Sequence, residues 1–350
     1  MSKPAIQIGN QIIEETSPPY IIAEAGVHHY NSLTLAKEYM IQAKLCGVDA
    51  IKFQTYSANR IATTWAPTYW NDKSGKTQFD IFAERSNLAY EDYRDLFNFA
   101  KELKLTLLST PFDPDSAALL AEFDMAAFKI ASADLTYYPL LETIASYKKP
   151  ILLSTGAATF AEVEEAITFL KSLNAQFCLL HCVLSYPTPI KDANLQRIVQ
   201  LKKRFPEMIV GYSDHTQPQY TMIACPIAVS NGAQIIEKHF TLNNLLDEDD
   251  HYHAVDVSGL KRLVRDCKDA KIMAAAAEEM KESEIPARTY ARRSIVAAKS
   301  LKAGTIITKN DIDFKRPGTG LSPVDFAQVL GKELMQDIAQ DDLIKLEHLC

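Results

Sequence analysis

Short apolar runs alternate with longer amphipathic segments through the first 240 residues of the chain. Eight of the runs are rich in β-branched and other apolar residues and predict buried strands, at 20–26, 48–54, 105–110, 126–132, 150–155, 177–182, 208–213 and 234–240. Helical periodicity marks the intervening segments, among them 33–45, 90–103, 160–173 and 193–205, and an eighth helical stretch follows at Val257–Met280. This strict alternation, with almost continuously apolar strands, is typical of a parallel sheet wrapped in helices.

The number of strand–helix units predicts a closed barrel. Eight units in roughly 250 residues fit a (β/α)₈ barrel of the α/β class. No GxGxxG follows the first strand to indicate an open dinucleotide-binding sheet. Before the barrel, residues 5–15 predict two short strands around Gly9 and Asn10. We expect these strands to form a hairpin that closes the lower end of the barrel.

The composition changes after the eighth helical stretch. Residues 281–288 are polar and contain Pro286. The sequence therefore predicts a barrel domain with its hairpin at 1–280, a linker at 281–290 and a small domain at 291–350. The last segment contains several β-like pieces, glycine and proline turns and one short helix. Because so short a segment buries little apolar surface, we expect it to dock on the barrel or on a second subunit.

Composition and charge argue against several classes of function. The chain has 350 residues, 47% of them hydrophobic and 23% charged, and a formal net charge of -7, so nothing favours a nucleic acid as partner. No stretch approaches the ~18 apolar residues of a membrane span, and residues 1–12 lack the pattern of a secretory leader. The six cysteines are scattered, which predicts reduced core residues. We expect a cytoplasmic protein without a membrane partner.

Polar residues fall at the carboxyl ends of the predicted strands. In chain order they are Glu24; Lys52 and Gln54; Ser109 and Thr110; Lys129 and Ser132; Ser154, Thr155 and Gly156; His181, leading to Ser185 and Tyr186; Ser213, Asp214 and His215; and Glu237, Lys238 and His239. Catalytic side chains of a (β/α)₈ barrel cluster at these ends. The sequence therefore predicts one convergent polar site.

The residue types at this site indicate two kinds of ligand. Lys52 and Lys129, together with several hydroxyl groups, suit a small phosphorylated carboxylate. His215 and His239 end the last two strands, which are neighbours in a closed barrel, so their imidazoles could share a divalent cation near Glu24, Gln54 or Glu237. The residues alone also allow simpler interpretations of these positions. The two lysines could be exposed surface charges, and the two histidines could be hydrogen-bonded structural residues. For the histidines at 251 and 253, in DEDDHYH, a solvated acidic loop and a grip on substrate both stay open.

The polar strand ends lie within longer motifs. In order these are IIAEAGVHHYNS, AIKFQT, LSTPFD, FKIASADLTYYPLL, PILLSTG, LLHCVLSYPTP, VGYSDHT and IIEKHFTL, followed by KRPGTGLSP near the end of the chain. With this order and spacing, nearly the whole chain closely resembles the sialic acid synthase family, which comprises the N-acetylneuraminate, legionaminate and pseudaminate synthases. The last segment resembles that family's antifreeze-like (SAF) domain.

The resemblance implies a reaction and a role for individual residues. The enzyme would condense phosphoenolpyruvate with an N-acyl mannosamine-type hexose and water to give a nine-carbon 2-keto-3-deoxy acid and phosphate. His215 and His239 would bind a divalent metal, Mn²⁺ or a similar ion such as Mg²⁺ or Co²⁺. The residues implied to hold phosphoenolpyruvate are Lys52, Thr110, Lys129, Ser132, Ser154 and Ser213. Catalytic roles fall to Glu24, at the reacting carbon, and to Gln54 and Glu237, near the metal. Those implied to contact the sugar are Asp134, Tyr186, Asp250 and Arg316, the last from the partner in a domain-swapped homodimer.

Three departures from the family pattern lie toward the sugar. The family's Asn-His-x-Gly is replaced by 28–31, His-His-Tyr-Asn, in which Asn31 can still adopt a positive φ. Leu184 stands where an amide or hydroxyl is common, and Ala254 stands where a serine is common.

Two rival hypotheses are a related synthase that makes seven- or eight-carbon acids from phosphorylated sugars, without an SAF-like tail, and a non-catalytic carbohydrate-binding barrel. The second would have lost a site lysine or histidine.

Overall fold

The eight apolar runs form eight parallel strands that close into a barrel in chain order, with the last strand beside the first. The computed structural model describes residues 4–70, 74–85, 88–246, 250–276 and 278–350. The barrel strands are β3 (Tyr20–Gly26), β4 (Ala50–Thr55), β5 (Thr106–Pro111), β6 (Phe128–Ile130), β7 (Ile151–Ser154), β8 (Phe177–Cys182), β9 (Val210–Asp214) and β10 (Ile235–His239). The predicted barrel is confirmed, and its strands differ from the predicted bounds by a few residues at most.

Helices follow the strands and cover the barrel. In the described residues of this unit they are α1 (Leu33–Cys46), α2 (Ala58–Ile61), α3 (Gln78–Glu84), α4 (Tyr90–Leu103), α5 (Pro114–Ala121), α6 (Tyr138–Ser146), α7 (Phe160–Ser172), α8 (Gln196–Arg204), α9 (Pro218–Ser230) and α10 (Val257–Met273). Local chemistry sets several starts: the Thr159 side chain and Glu162 form a capping box at α7, and Asp256 caps α10. The helix predicted to reach Met280 ends at Met273, where the apolar periodicity stops.

The hairpin before the barrel fills its lower end. β1 (Ala5–Ile8) pairs antiparallel with β2 (Gln11–Glu14), as the sequence predicts. Ile6, Ile8 and Ile13 are buried in one cluster with the first inward-facing residues of the strands. A separate and larger cluster lies between the strands and the helices. The barrel interior is therefore packed at its amino end, and its carboxyl end is the part left for a site.

Residues 276–350 form a second compact unit, and residues 1–275 form the first. In the second unit β11 (Ser294–Ala297) pairs antiparallel with β12 (Ile312–Lys315) over a core of its own that includes Ile295, Leu334 and Ile344. The segment expected as a linker carries a 3₁₀ turn, Glu282–Glu284, and α11 (Ile285–Ala291).

The expectation of unpaired core cysteines is confirmed except for Cys350, which is not in the core. All six cysteines are free, and all but Cys350 are buried. Among the described helices, none combines the length and apolar character that crossing a bilayer demands.

Candidate active site

Alternation along the barrel strands sorts their polar residues into two sets. Ile22, Ala50 and Ile235 pack with the hairpin inside the lower barrel. Because successive strand side chains point to opposite faces, residues two and four positions further along point into the upper barrel. The members of this inward set are Glu24, Lys52, Gln54, Thr110, Lys129, Ser154, Ser213, His215, Glu237 and His239. They line one cavity at the carboxyl ends of the strands, with about 1070 Å³ of free space including its mouth.

Lys52 is buried beside two carboxylates. Its Nζ lies 2.5 Å from Glu24 Oε2 and 3.8 Å from Glu237 Oε2, and it donates a hydrogen bond to Thr110 Oγ1 at 2.9 Å. Burial lowers the pKa of Lys52, but the Glu237 and Glu24 carboxylates outweigh burial and the net shift is upward. Burial raises the pKa of Glu24, and the Lys52 ammonium offsets this only in part. Lys52 therefore keeps its charge, and Glu24 is a carboxylate with a raised affinity for a proton.

Lys129 supplies a second buried ammonium group. Its Nζ donates to the Ile130 carbonyl at 2.9 Å and lies 3.8 Å from Glu237 Oε1. Ser213 Oγ donates to the same Glu237 oxygen at 2.8 Å. Burial lowers the pKa of Lys129. Burial raises the pKa of Glu237, yet Lys129 and Lys52 bring it below its ordinary value. Glu237 is thus an ionised carboxylate that lies between the two lysines.

Hydroxyl groups lie next to these charges. Gly156 N donates to Ser132 Oγ at 2.9 Å. A Cβ atom at Gly156 would lie 2.8 Å from that hydroxyl, so glycine is required for the close approach. Ser154 Oγ is buried and has no hydrogen-bond partner among the described residues. Since buried polar groups are normally paired, this hydroxyl is suited to an oxygen of an anionic ligand.

Three imidazoles pack together at the ends of the last two barrel strands. His215 follows β9, His239 ends β10, and His253 lies in a 3₁₀ turn, His251–His253. The ring centroid of His239 lies 5.4 Å from that of His215 and 4.6 Å from that of His253. Burial lowers the pKa of His215 to about 4 and lowers the pKa values of His239 and His253 well below the ordinary value. All three rings are neutral near pH 7, so their lone pairs are available to a cation.

His239, Asp250 and His253 form a group that could hold a metal ion. Their ligand atoms all lie within 4.8 Å of one another. His239 Nδ1 is 3.4 Å from Asp250 Oδ2, and no described residue forms a hydrogen bond to that nitrogen. His215 Nδ1 lies 2.9 Å from the Val183 carbonyl, which leaves Nε2 as the lone-pair nitrogen, as in metal-ligating histidines. Imidazole and carboxylate donors with an unsatisfied buried nitrogen fit a divalent cation.

One wall of the cavity comes from a segment that the sequence interpretation missed. Its lining residues are Tyr56, Ile61, Tyr69, Trp70, Ile81, Phe82 and Arg85. They belong to the long connection between β4 and α4, which carries α2 and α3. Because βα connections usually span about 2–6 residues, the length of this connection was the signal that could have found the wall.

Not all of the polar strand-end residues expected at the convergent site point into the cavity. Ser109 Oγ lies 2.8 Å from the Thr55 hydroxyl on the helix side, and Thr155 Oγ1 donates to the Leu180 carbonyl at 3.2 Å. His181, Asp214 and Lys238 are one position out of alternation with the inward set, so the prediction that all polar strand ends converge is wrong for them. His181 Nε2 lies 2.9 Å from the Ala193 carbonyl and is buried. Asp214 and Lys238 form a salt bridge with each other outside the cavity.

The pair of Lys238 and Asp214 is a fully buried salt bridge. Lys238 Nζ lies 2.9 Å from Asp214 Oδ2, and both side chains are 0% exposed. Lys238 also donates to the Thr216 carbonyl at 2.6 Å, and Asp214 accepts from the Tyr212 hydroxyl at 2.8 Å and the Thr221 hydroxyl at 2.7 Å. This network joins β9 to β10 at the point where their neighbouring residues enter the cavity.

Lys238→Met is expected to destabilise the protein by about 3–5 kcal/mol, because it leaves Asp214 buried without its counter-ion. Urea unfolding measures this loss, and Asp214→Asn combined with Lys238→Met should recover a large part of it. Lys171→Met, which removes an exposed pair with Glu207, is the matched control and should cost less than about 1 kcal/mol. An equal loss in both single variants would contradict the structural role of the buried pair.

Two residues implied to contact the sugar are not among the lining residues. Asp134 ends a 3₁₀ turn, Ser132–Asp134, and Arg316 is exposed just after β12 in the second unit. Tyr186 and Asp250 do line the cavity, and the Tyr186 ring centroid is 4.3 Å from that of His215. The other residues implied to act on substrate or metal line the cavity as well.

Asp134→Asn should stabilise the protein in a pH-dependent way. Burial raises the pKa of Asp134 to about 7 from 3.8, and Lys129 lowers it only in part. Stability contributed by the protonated carboxyl is therefore present below about pH 4 and is lost as the pH rises to about 7. At pH 8 the free energy of unfolding of the variant should be about 2 kcal/mol larger than that of the unmodified protein. This is less than the ~4 kcal/mol that the whole pKa shift would give, because solvent partly reaches the group. At pH 5 the gain should be clearly smaller.

Thermal unfolding of this variant at the two pH values measures the difference. Asp95→Asn changes an exposed carboxylate on α4 and serves as the control. A gain that is the same at pH 5 and pH 8 would show that Asp134 does not titrate between them.

The loop after β3 has the backbone expected of it. Tyr30 and Asn31 have φ angles of 46° and 60°, so the expectation that Asn31 adopts a positive φ is confirmed. The His28 ring stacks on His251 with centroids 3.9 Å apart, and His28 Nδ1 lies 3.2 Å from the Phe240 carbonyl. His28 therefore fastens this loop to the end of β10.

Comparison with known proteins agrees with the fold and the motifs. The sequence model of the NeuB family matches residues 39–279, and that of the SAF domain matches residues 292–349. The chain belongs to the NeuB family. This membership confirms the resemblance drawn from the motifs.

Relatives of this NeuB-family chain are named synthases. It is 35% identical over 340 residues to the N,N'-diacetyllegionaminic acid synthase of Legionella pneumophila, covering 94% of each chain. It is 36% identical to the synthase of the same name from Campylobacter jejuni, covering 93% of this chain and 98% of the relative. The crystal structure of N-acetylneuraminic acid synthetase from Leptospira borgpetersenii superposes with a TM-score of 0.72 at 31% identity, over 81% of this chain and 95% of that one. The protein is an enzyme of the synthase type.

Proposed function

We propose that this enzyme condenses phosphoenolpyruvate with an open-chain N-acyl mannosamine-type hexose and water, giving a nine-carbon 2-keto-3-deoxy acid and phosphate. The observation that carries the proposal is the pair of buried ammonium groups of Lys52 and Lys129, in one cavity with an imidazole–carboxylate cluster. Phosphoenolpyruvate is a small trianion, and the cavity offers it two fixed cations. Two relatives are named N,N'-diacetyllegionaminic acid synthase and pseudaminic acid synthase, and these names support the same reaction.

Phosphoenolpyruvate would bind by its charged groups. Lys52 and Lys129 would offset the phosphate and carboxylate charges, and the hydroxyls of Thr110, Ser132 and Ser154 would donate or accept around them. Ser213 holds Glu237, which keeps both lysines charged and correctly placed. Because these donors are fixed before substrate arrives, little reorganisation is needed as charge shifts during the reaction.

The residues at the ends of β9 and β10 would hold a divalent cation, with His215 and His239 as the implied ligands. Such an ion supplies Lewis acidity to the aldehyde oxygen of the sugar. Tyr186 and Asp250 line the cavity beside these histidines and would orient the hydroxyl groups of the acceptor. Holding both substrates in one cavity replaces a bimolecular encounter with a positioned reaction.

Bond changes in the proposed reaction balance without a further reactant. C3 of phosphoenolpyruvate forms a bond to the aldehyde carbon, whose oxygen takes up a proton and becomes a hydroxyl. Water adds to C2 and loses one proton, and the C2–O bond to phosphate then breaks as the new C2 hydroxyl gives its proton to the departing phosphate and becomes the keto group. Glu24, whose pKa burial raises, would accept the proton of the attacking water, and Gln54 holds its carboxyl by a hydrogen bond of 3.0 Å.

The apolar wall favours an acylated acceptor. Trp70, Phe82 and Ile81 offer flat and aliphatic surface, which packs well against an acyl methyl group and poorly against exposed hydroxyls. Leu184 also lines the cavity, where a polar contact to the sugar would otherwise be available. An N-acylated hexosamine therefore fits this cavity better than an unmodified aldose does.

Product analysis tests the proposed function. The purified protein would be incubated with phosphoenolpyruvate, Mn²⁺ and a panel of N-acyl hexosamines, their 6-phosphates and phosphorylated pentoses and tetroses. A product with the mass of an N-acyl hexosamine plus pyruvic acid is expected, together with inorganic phosphate. Product only from phosphorylated short aldoses would assign the chain to the rival seven- and eight-carbon class. Absence of turnover with intact ligand binding would favour the non-catalytic barrel.

A homodimer in which Arg316 of one subunit contacts the sugar in the partner's barrel belongs to the same proposal. Arg316 is exposed in the second unit, so its guanidinium is accessible to another chain. Arg316→Ala is expected to raise the KM for the sugar at least about 10-fold while changing that for phosphoenolpyruvate little. Steady-state kinetics with each substrate varied measures this, and equal effects on both KM values would exclude the contact.

A further inference from the structure

A third imidazole lies beside the cluster at the ends of β9 and β10. His253 is 0% exposed, and neither of its ring nitrogens has a hydrogen-bond partner among the described residues. Its Nε2 lies 3.9 Å from Asp250 Oδ1, which is too far for a hydrogen bond. A buried imidazole with both nitrogens unsatisfied is costly. A cation between the ring and the carboxylate would satisfy one nitrogen.

The backbone fixes His253 relative to His239. Val255 N donates to the His239 carbonyl at 2.9 Å, and Thr241 N donates to the Val255 carbonyl at 2.9 Å. The turn that carries Asp250 and His253 is thereby tied to the end of β10. Ala254 N donates to the Asp250 carbonyl at 3.1 Å and closes the turn on itself. The backbone of these three residues is therefore held in place before a ligand binds, and only their side chains need to adjust.

We infer that His253 is a further direct ligand of the divalent ion, in addition to His215 and His239. The ligand atoms of His239, Asp250 and His253 lie within 4.8 Å of one another, close enough for a modest side-chain rotation to bring His253 onto an ion that His239 binds. Such a site leaves coordination positions open for substrate oxygens. This inference rests on the proposed function only in placing the ion beside the sugar.

The added imidazole changes which ions the site prefers. Imidazole nitrogen suits Co²⁺ and Zn²⁺, whereas Mg²⁺ prefers oxygen ligands and retains its water. A site with this third imidazole should therefore discriminate strongly against Mg²⁺. Loss of His253 should weaken Co²⁺ binding much more than Mg²⁺ binding.

Direct measurement of metal binding tests the inference. Metal-free full-length protein would be titrated with Co²⁺, Mn²⁺ and Mg²⁺ against a competing chelator, for the unmodified protein, His253→Ala and His253→Phe. We expect the Co²⁺ affinity to fall at least about 100-fold in both variants, beyond the 10- to 100-fold typical of residues that only orient a ligand. The visible spectrum of the Co²⁺ form should change, and pulsed EPR of the Mn²⁺ form should lose one nitrogen coupling.

His251→Asn is the matched control in the same turn. The His251 nitrogens contact the Thr241 hydroxyl at 2.6 Å and the Tyr30 hydroxyl at 2.7 Å, so a change there should leave the nitrogen couplings intact. Circular dichroism, together with quenching of tryptophan fluorescence by phosphoenolpyruvate, shows whether each variant folds. The Phe variant fills the volume of the ring if the Ala variant does not fold.

The outcomes separate this inference from the proposed function. Metal affinity within about 3-fold of the unmodified protein, with unchanged nitrogen couplings, would overturn the role of His253, as would a failure of the unmodified protein to bind Co²⁺ or Mn²⁺. Product assays on the same preparations report on the synthase reaction independently. If the unmodified protein catalyses the reaction and His253→Ala binds metal as tightly as it does, the proposed function is retained and His253 is excluded as a ligand.

Discussion

Lys52→Met is expected to lower kcat/KM by about 10³-fold or more, because it removes the ammonium group at the centre of the charged cavity. Lys52 contacts Glu24 and Thr110 and lies 3.8 Å from Glu237. Methionine preserves the apolar stem and removes only the charge. Both the affinity for phosphoenolpyruvate and the stabilisation of developing charge should fall, so kcat and the KM for phosphoenolpyruvate should both worsen. Steady-state kinetics and direct binding of phosphoenolpyruvate measure the two effects.

The fold of this variant needs its own control, since Glu24 loses its buried counter-ion. Glu24→Gln combined with Lys52→Met removes both charges and should unfold at a urea concentration close to that of the unmodified protein. Lys149→Met, at an exposed lysine paired with Asp124, should retain full activity. A folded Lys52→Met enzyme with kcat/KM within 10-fold of the unmodified protein would contradict the anion site.

His239→Ala is expected to abolish turnover and metal retention while leaving the fold intact. His239 belongs to the group able to hold an ion and lies between the other two imidazoles. Its loss removes one of the imidazoles proposed to bind the ion. We expect activity to fall at least about 10³-fold. Changing a residue that only orients a metal ligand typically lowers activity or metal affinity by about 10- to 100-fold. Elemental analysis after dialysis measures the retained metal.

His181→Gln controls for the loss of a buried histidine on the barrel. His181 faces the helices and bonds to a backbone carbonyl, so glutamine can replace that contact. Metal content equal to that of the unmodified protein is expected for His181→Gln. Retained metal and activity in His239→Ala would exclude His239 as a ligand.

Much of the fold and the site follows from the alternation of side chains along the strands. The apolar runs predict the strands, and their number predicts the closure of the barrel. Applied further, the same alternation separates Lys52 and Glu237, which face the cavity, from Lys238, which faces the helices. The prediction of a single convergent site counted polar strand ends without assigning them to faces, and so included Ser109, His181, Asp214 and Lys238. Counting from the apolar residues lower in each strand would have excluded all four.

Other parts of the site could not be predicted from strand patterns. Asp250 and His253 lie in a turn after β10, and their distance from His239 depends on how that turn bends back onto the strand. Local sequence leaves the solvated-loop alternative for His253 equally consistent, and burial decides against it. The apolar wall at Trp70 and Phe82 depends on how the connection between β4 and α4 folds over the barrel mouth, and hydrophobic periodicity does not specify that path.

Phosphoenolpyruvate labelled with heavy oxygen at the bridging position between C2 and phosphorus gives the most direct test of the proposed chemistry. The enzyme would convert it with an N-acyl hexosamine, and mass spectrometry would locate the label. Attack of water at C2 followed by breakage of the C2–O bond predicts the label in the released phosphate and none in the nine-carbon acid. Label retained at C2 of the product, or phosphate released without any nine-carbon acid, would contradict the proposed reaction.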